Sequence, residues 1–129
     1  MAHRLNLVIL TPALAICRLP ADADLPVWAA DGPFTSLTRT SEELSIVCSQ
    51  DGIPDELTCD RDWRCLRVAG RLDFALVGVL AVLTAPLADA GVSVFAISTF
   101  NTDYLLVKGR DLDRAAEALR QAGHEVRAE

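Results

Sequence analysis

The chain has 129 residues, 51% of them hydrophobic and 23% charged, with a formal net charge of −6 and a mean hydropathy of +0.28. It is too apolar for disorder and long enough for one compact domain or two very small fused ones. Twelve Lys and Arg against eighteen Asp and Glu leave no basic stripe, which disfavours nucleic acid and anionic membrane surfaces as partners.

His3 and Arg4 precede an apolar run, and residues 13–17 loosely resemble a secretory or lipoprotein signal. Asn6 and the Thr11-Pro12 break interrupt that run, so strands at 5–10 and 14–19 joined by a Thr-Pro turn account for it better. Residues 24–30 read as a brief helical or irregular crossover, closed by Asp31-Gly32-Pro33. Strands follow at 34–39 and 44–48, linked by the polar stretch 40–43. Residues 54–57 make one turn of a second helix, with Asp51 near its start.

Residues 64–68 alternate polar and apolar, as a half-buried strand does. Asp73 then precedes an apolar helix over 74–88 that ends at Gly91. Its fifteen residues fall short of the roughly 20 needed to cross a bilayer, and it reads as a buried helix. Pro86 near its end frees the carbonyl of Val82. A β-branched strand over 92–99, a turn over 100–103 and a returning strand over 104–108 come next. Asp111 is the expected N-cap of a helix over 112–121, where Leu112, Ala115, Ala116 and Leu119 form one apolar stripe. The charges over 110–117 make a solvated face with local ion pairs. Gly123 closes the helix, and 124–127 supply a last strand.

Cys17, Cys48, Cys59 and Cys65 form no Cys-x-x-Cys pair, so neither a zinc knuckle nor a thioredoxin-type motif is supported. Reduced structural thiols are expected, although a disulfide between Cys59 and Cys65, which flank a short charged loop, stays open. His3 and His124 both lie near the termini, which leaves no base beside Cys48 or Cys65 for nucleophilic catalysis. Asp55, Asp60 and Asp62 lack the spacing of a calcium loop. Trp28 and Trp63 are expected to cover edges of the core. The reading is a non-enzyme with no cofactor and no metal.

A degenerate repeat organises the rest. Leu37, Thr38, Glu43, Ile46, Val47 and Asp51 stand sixty positions before Ile97, Ser98, Asp103, Leu106, Val107 and Asp111. Before it, Leu19, Asp24 and Leu25 match Val68, Asp73 and Phe74 at an offset of 49. The first copy has therefore lost about three helical turns. The motifs Ser41-Glu-Glu-Leu-Ser-Ile-Val-Cys48, Leu72-Asp-Phe-Ala-Leu-Val-Gly-Val-Leu80, Ala85-Pro-Leu-Ala-Asp-Ala-Gly91 and the stretch 94–108 resemble the ACT-domain superfamily. Within it they are most similar to the subgroup that includes the cytosolic arginine sensors. The resemblance implies an α+β fold of two ferredoxin-like (βαββαβ) units, antiparallel sheets with helices on one face, divided as 1–60 and 61–129. It also implies a non-catalytic, cytoplasmic regulatory protein that binds an amino acid and acts as a homodimer. The rival is a ligand-free dimerisation module.

An amino acid needs donors for its carboxylate, acceptors for its ammonium and a wall for its side chain. The N-terminus of the 74–88 helix offers free N–H groups and a positive dipole end. The expected ligand set is thus Asp73, Phe74, Ala75, Leu76, Val77 and Gly78 from that loop, with Ser98, Thr99, Phe100, Asn101 and Asp103 from the turn. Asp73 and Asp103 would take the ammonium, Gly78 would admit close approach, and Phe100 would wall the pocket. Each has a plain structural reading too: Asp73 as an N-cap, Gly78 as a site of tight helix–sheet packing, 100–103 as a hairpin turn.

Overall fold

The structure, a computed structural model, describes residues 4–70 and 77–129. It is mixed α+β. The strands are β1 (Asn6–Ile9), β2 (Leu14–Leu19), β3 (Thr35–Arg39), β4 (Leu44–Ser49), β5 (Cys59–Val68), β6 (Phe95–Ser98), β7 (Asp103–Lys108) and β8 (Glu125–Ala128), with helices α1 (Val79–Asp89) and α2 (Leu112–Gln121). Two compact units result, Pro12–Trp63 and Met1–Thr11 with Arg64–Glu129.

In Pro12–Trp63 the strand order is β3-β4-β2-β5, antiparallel throughout. Ala15, Cys17, Leu44, Ile46 and Cys48 are buried with Ala29 and Ile53, and Trp28 packs against them from a half-buried position. A three-residue 3-10 turn at Val27–Ala29 replaces the longer helix of a full repeat. It is held by Thr35 Oγ1 donating to Ala29 O at 2.9 Å, while Arg39 donates to Ala21 O and Ala23 O. The β2–β5 register shifts between Leu14 and Ile16, where Asp62 takes a φ of 66°. Gln50 pins that residue from both sides: Asp62 N–H donates to Gln50 Oε1 at 2.8 Å, and Gln50 Nε2 donates to Asp62 Oδ1 at 3.1 Å. The second helical turn expected at 54–57 is instead a simple turn, and the 3-10 turn sits at Gln50–Gly52.

The other unit orders its strands β6-β7-β5-β1-β8. β1 runs antiparallel to β5 and parallel to β8. Leu7, Leu66, Val68, Leu105, Val107 and Val126 share one core with Val79, Leu83 and Leu87 of α1 and Ala115, Ala116 and Leu119 of α2. Burying a Leu of this kind stabilises the fold by roughly 1.5–3 kcal/mol. Both helices end as the glycines foretell. Gly91 N–H donates to Ala88 O and Val92 N–H to Leu87 O; Gly123 and His124 repeat the pattern on Arg120 O and Leu119 O.

Four sequence expectations need correction. α1 begins at Val79, not at 74, because Gly78 holds a left-handed φ of 83° that no helix can contain. Asp111 does not cap α2 with its side chain; its Oδ1 accepts from Arg114 Nη2 at 2.9 Å instead, one of the local ion pairs expected on that face. Cys17 and Cys59 face each other across β2 and β5, with Cα atoms 4.5 Å apart, and are joined by a disulfide. Cys59 and Cys65 lie six residues apart on one extended strand, roughly 20 Å, and cannot bond. Finally, the registers and turns of the two hairpins correspond at an offset of 59, not 60. Thr40 N–H donates to Glu43 O at 2.9 Å just as Thr99 N–H donates to Thr102 O at 2.9 Å, and the 3-10 turns Gln50–Gly52 and Gly109–Asp111 follow in step.

Candidate functional site

Asp73, Phe74, Ala75 and Leu76 lie outside the described residues. Val77 and Gly78 lead directly into α1, and Val77 is strongly exposed. Gly78 occupies the N-cap position without a side chain, and the first turn of α1 holds no acidic residue. The positive end of the α1 dipole is therefore not neutralised by the first turn of the helix itself. A Cβ built on Gly78 would meet no heavy atom within 4 Å. Tight packing is not why glycine stands there; the left-handed φ is.

The second segment is a hairpin turn, as its residue types foretell. Thr99 Oγ1 donates to Thr102 O at 3.0 Å, inside the turn that its own N–H closes. Ser98, Thr99 and Asn101 are exposed, and Phe100 is 66% exposed; Asp103 is half-buried at the first position of β7, opposite Ser98. Thr102 carries the geometry. Its side chain is buried, and its Oγ1 donates to Val68 O at 2.8 Å. This bond fixes the turn against the last residue of β5, the point from which the chain leaves toward α1. Sequence reasoning passed over Thr102, since a threonine in a polar turn carries no sign that its hydroxyl is buried.

It also passed over His124, which is buried. Leu5 N–H donates to its Nδ1 at 3.1 Å, and its Nε2 lies 3.3 Å from Val82 O. The Val82 carbonyl that Pro86 leaves free was the available signal. His124 works as a structural pin here, not as a base.

Burial holds both free thiols in the protonated form at neutral pH. Burial pushes Cys65 up to about 12 against a modest opposing pull from Arg67, and burial raises Cys48 as well. Among the described residues no three His, Cys, Asp or Glu side chains cluster to hold a metal ion. Among the same residues no helix is long and apolar enough to cross a membrane.

Residues 58–121 match a family model described as an ACT domain, and residues 13–56 match a second model described as an N-terminal domain. A solved protein of Agrobacterium tumefaciens is 41% identical, covers 99% of this chain and 96% of its own, and superposes with a TM-score of 0.94. The human cytosolic arginine sensor for mTORC1 subunit 1 is 32% identical over 99 residues, or 68% of this chain; the chain spans 30% of that relative's length. The regulatory subunit of aspartate kinase from Thermus flavus shares the fold, with a TM-score of 0.63 at 13% identity over 90% of this chain and 95% of that one.

Proposed function

The chain belongs to the ACT-domain family, and on that premise we propose that it is a non-catalytic regulatory protein that binds a small molecule, specifically an amino acid. The ligand lies between the loop that leads into α1 and the β6–β7 turn. Its carboxylate meets the N–H groups at the start of α1, Asp73 and Asp103 accept from its ammonium, and Phe100 walls its side chain. In this reading the chain is a tandem of two ferredoxin-like ACT units, the first degenerate and the second incorporating β1 from the N-terminal residues, working as a cytoplasmic homodimer. Binding regulates by favouring one arrangement of units, and only by its differential affinity for the arrangements.

The observation that carries the proposal is the Thr102 Oγ1–Val68 O bond, which supports a common site for loop and turn. Cytoplasmic placement draws on the name of the human relative, whose arginine makes arginine the first candidate. The test is a thermal-shift screen of the purified chain against the twenty amino acids, with light scattering for the oligomer. A ligand at one hundred times its Kd adds about 2.7 kcal/mol. One reproducible hit, lost in Asp73→Ala and in Asp103→Ala, is the expected result; a dimer with no hit would leave the second reading, a ligand-free dimerisation module. The strong exposure of Val77 and Phe100 favours that second reading.

A further inference from the structure

The charge of the chain is divided unevenly. Pro12–Trp63 holds ten Asp and Glu but three Lys and Arg, a net of −7; the remaining residues hold eight against nine, a net of +1. Within Pro12–Trp63 the face built by Leu44, Ile46 and Cys48 is covered by residues 20–30 and not by a long helix. That thin cover leaves apolar side chains outside: Leu25 is 57% exposed, Val27 87% and Leu37 42%. Beside Val27 opens a cavity of about 430 Å³, lined by Trp28, Asp31, Gly32, Ser49 and Asp51 among others.

Two features of this cavity are unsatisfied. The Oγ of Ser49 is buried without a hydrogen-bond partner. A Cβ on Gly32 would come within 2.7 Å of that hydroxyl, so glycine is what keeps this wall open. Asp31 and Asp51 have no ion-pair partner among the described residues. Carboxylates, an indole and an exposed Val together ask for an occupant that is both cationic and apolar.

We propose that this face docks a basic amphipathic peptide segment of another protein. An apolar side chain of the segment enters the cavity beside Val27 and Trp28, and flanking Lys or Arg side chains pair with Asp31 and Asp51. Charge complementarity selects this occupant. A second copy docking through its own Pro12–Trp63 unit would set one net charge of −7 against another, phosphate-bearing partners are repelled by the same negative charge, and a bare cation leaves Val27 and Leu25 uncovered.

The test uses the full chain and three short fluorescein-labelled peptides, alternating Lys/Leu, Glu/Leu and Lys/Ser, followed by fluorescence anisotropy. The Lys/Leu peptide is expected to bind, the other two far more weakly. Asp31→Asn with Asp51→Asn, and separately Val27→Ser, should each weaken binding about tenfold. Val27 is so exposed that its variant keeps the native melting temperature, and it alone decides the matter if the double variant fails to fold. Unchanged binding by Val27→Ser would overturn the proposal. So would equal binding of Lys/Ser and Lys/Leu, full competition by spermidine, absence of binding, or self-association that Val27→Ser abolishes. The amino-acid screen reads the other unit, so its failure and this one are separable.

Discussion

Pro86 has no N–H to offer the carbonyl four residues back, which would leave Val82 O bare inside α1. His124 repairs this. Because Leu5 N–H can only donate, Nδ1 must accept, and the neutral ring then carries its proton on Nε2, toward Val82 O. His124→Phe keeps the bulk and abandons both groups; at about 1–3 kcal/mol for each buried orphan, a loss of about 2–4 kcal/mol is expected in urea unfolding. In a Pro86→Ala background the N–H returns to Val82 O, so the cost of His124→Phe should fall by about half. Identical costs in the two backgrounds would refute the assignment. Cys65 gives a pH test. Its thiol is raised, so its contribution is whole below the unfolded value of 9.0 and disappears as pH climbs toward about 12. The melting temperature should decline above pH 9 more steeply in the native chain than in Cys65→Ala, and iodoacetamide should reach Cys65 only on unfolding.

Elements were legible where a local signal fixed both ends. α2 runs over the expected 112–121 because the stripe Leu112, Ala115, Ala116 and Leu119 sets its face and Gly123 its stop. The start of α1 was misread because Asp73-Phe74 has the form of a cap before an apolar run, while the left-handed turn at Gly78 has no apolar signature. Gly78→Ala should therefore cost about 1–2 kcal/mol in thermal unfolding, with D-Ala at that position tolerated. The one-residue offset in the repeat arises because Val47 with Val107 and Asp51 with Asp111 are identical at 60. At 59 the buried run Ile46-Val47-Cys48 falls on Leu105-Leu106-Val107, and side-chain facing matches. The β2–β5 disulfide was illegible because register between distant strands leaves no mark in spacing. Its separation of 42 residues corresponds to about 4 kcal/mol of chain-entropy stabilisation, lost in Cys17→Ser with Cys59→Ser. It also tests placement in the cell. A cytoplasmic chain, acid-quenched and alkylated, should show all four cysteines modified, whereas two modified cysteines would contradict the cytoplasmic reading.

At the scale of the molecule, the sequence conveyed the α+β class and the presence of strands, but not which neighbours each strand takes. Residues 5–10 read as a strand from their apolar run alone; nothing in them says that β1 lies between β5 and β8. Of the candidate site, the hairpin turn was legible: turn chemistry marks 98–103, while the buried reach of Thr102 to Val68 depends on the fold around it.

The position of β1 bears on the order of events during synthesis. Asn6 to Ile9 pair with Glu125 to Ala128, so β1 has one flank bare until residues 125–128 have been made and can reach it. Closing so long a span is slow, and the waiting edge is open to wrong neighbours. A chain halted before residue 125 should thus aggregate, where one halted later should not.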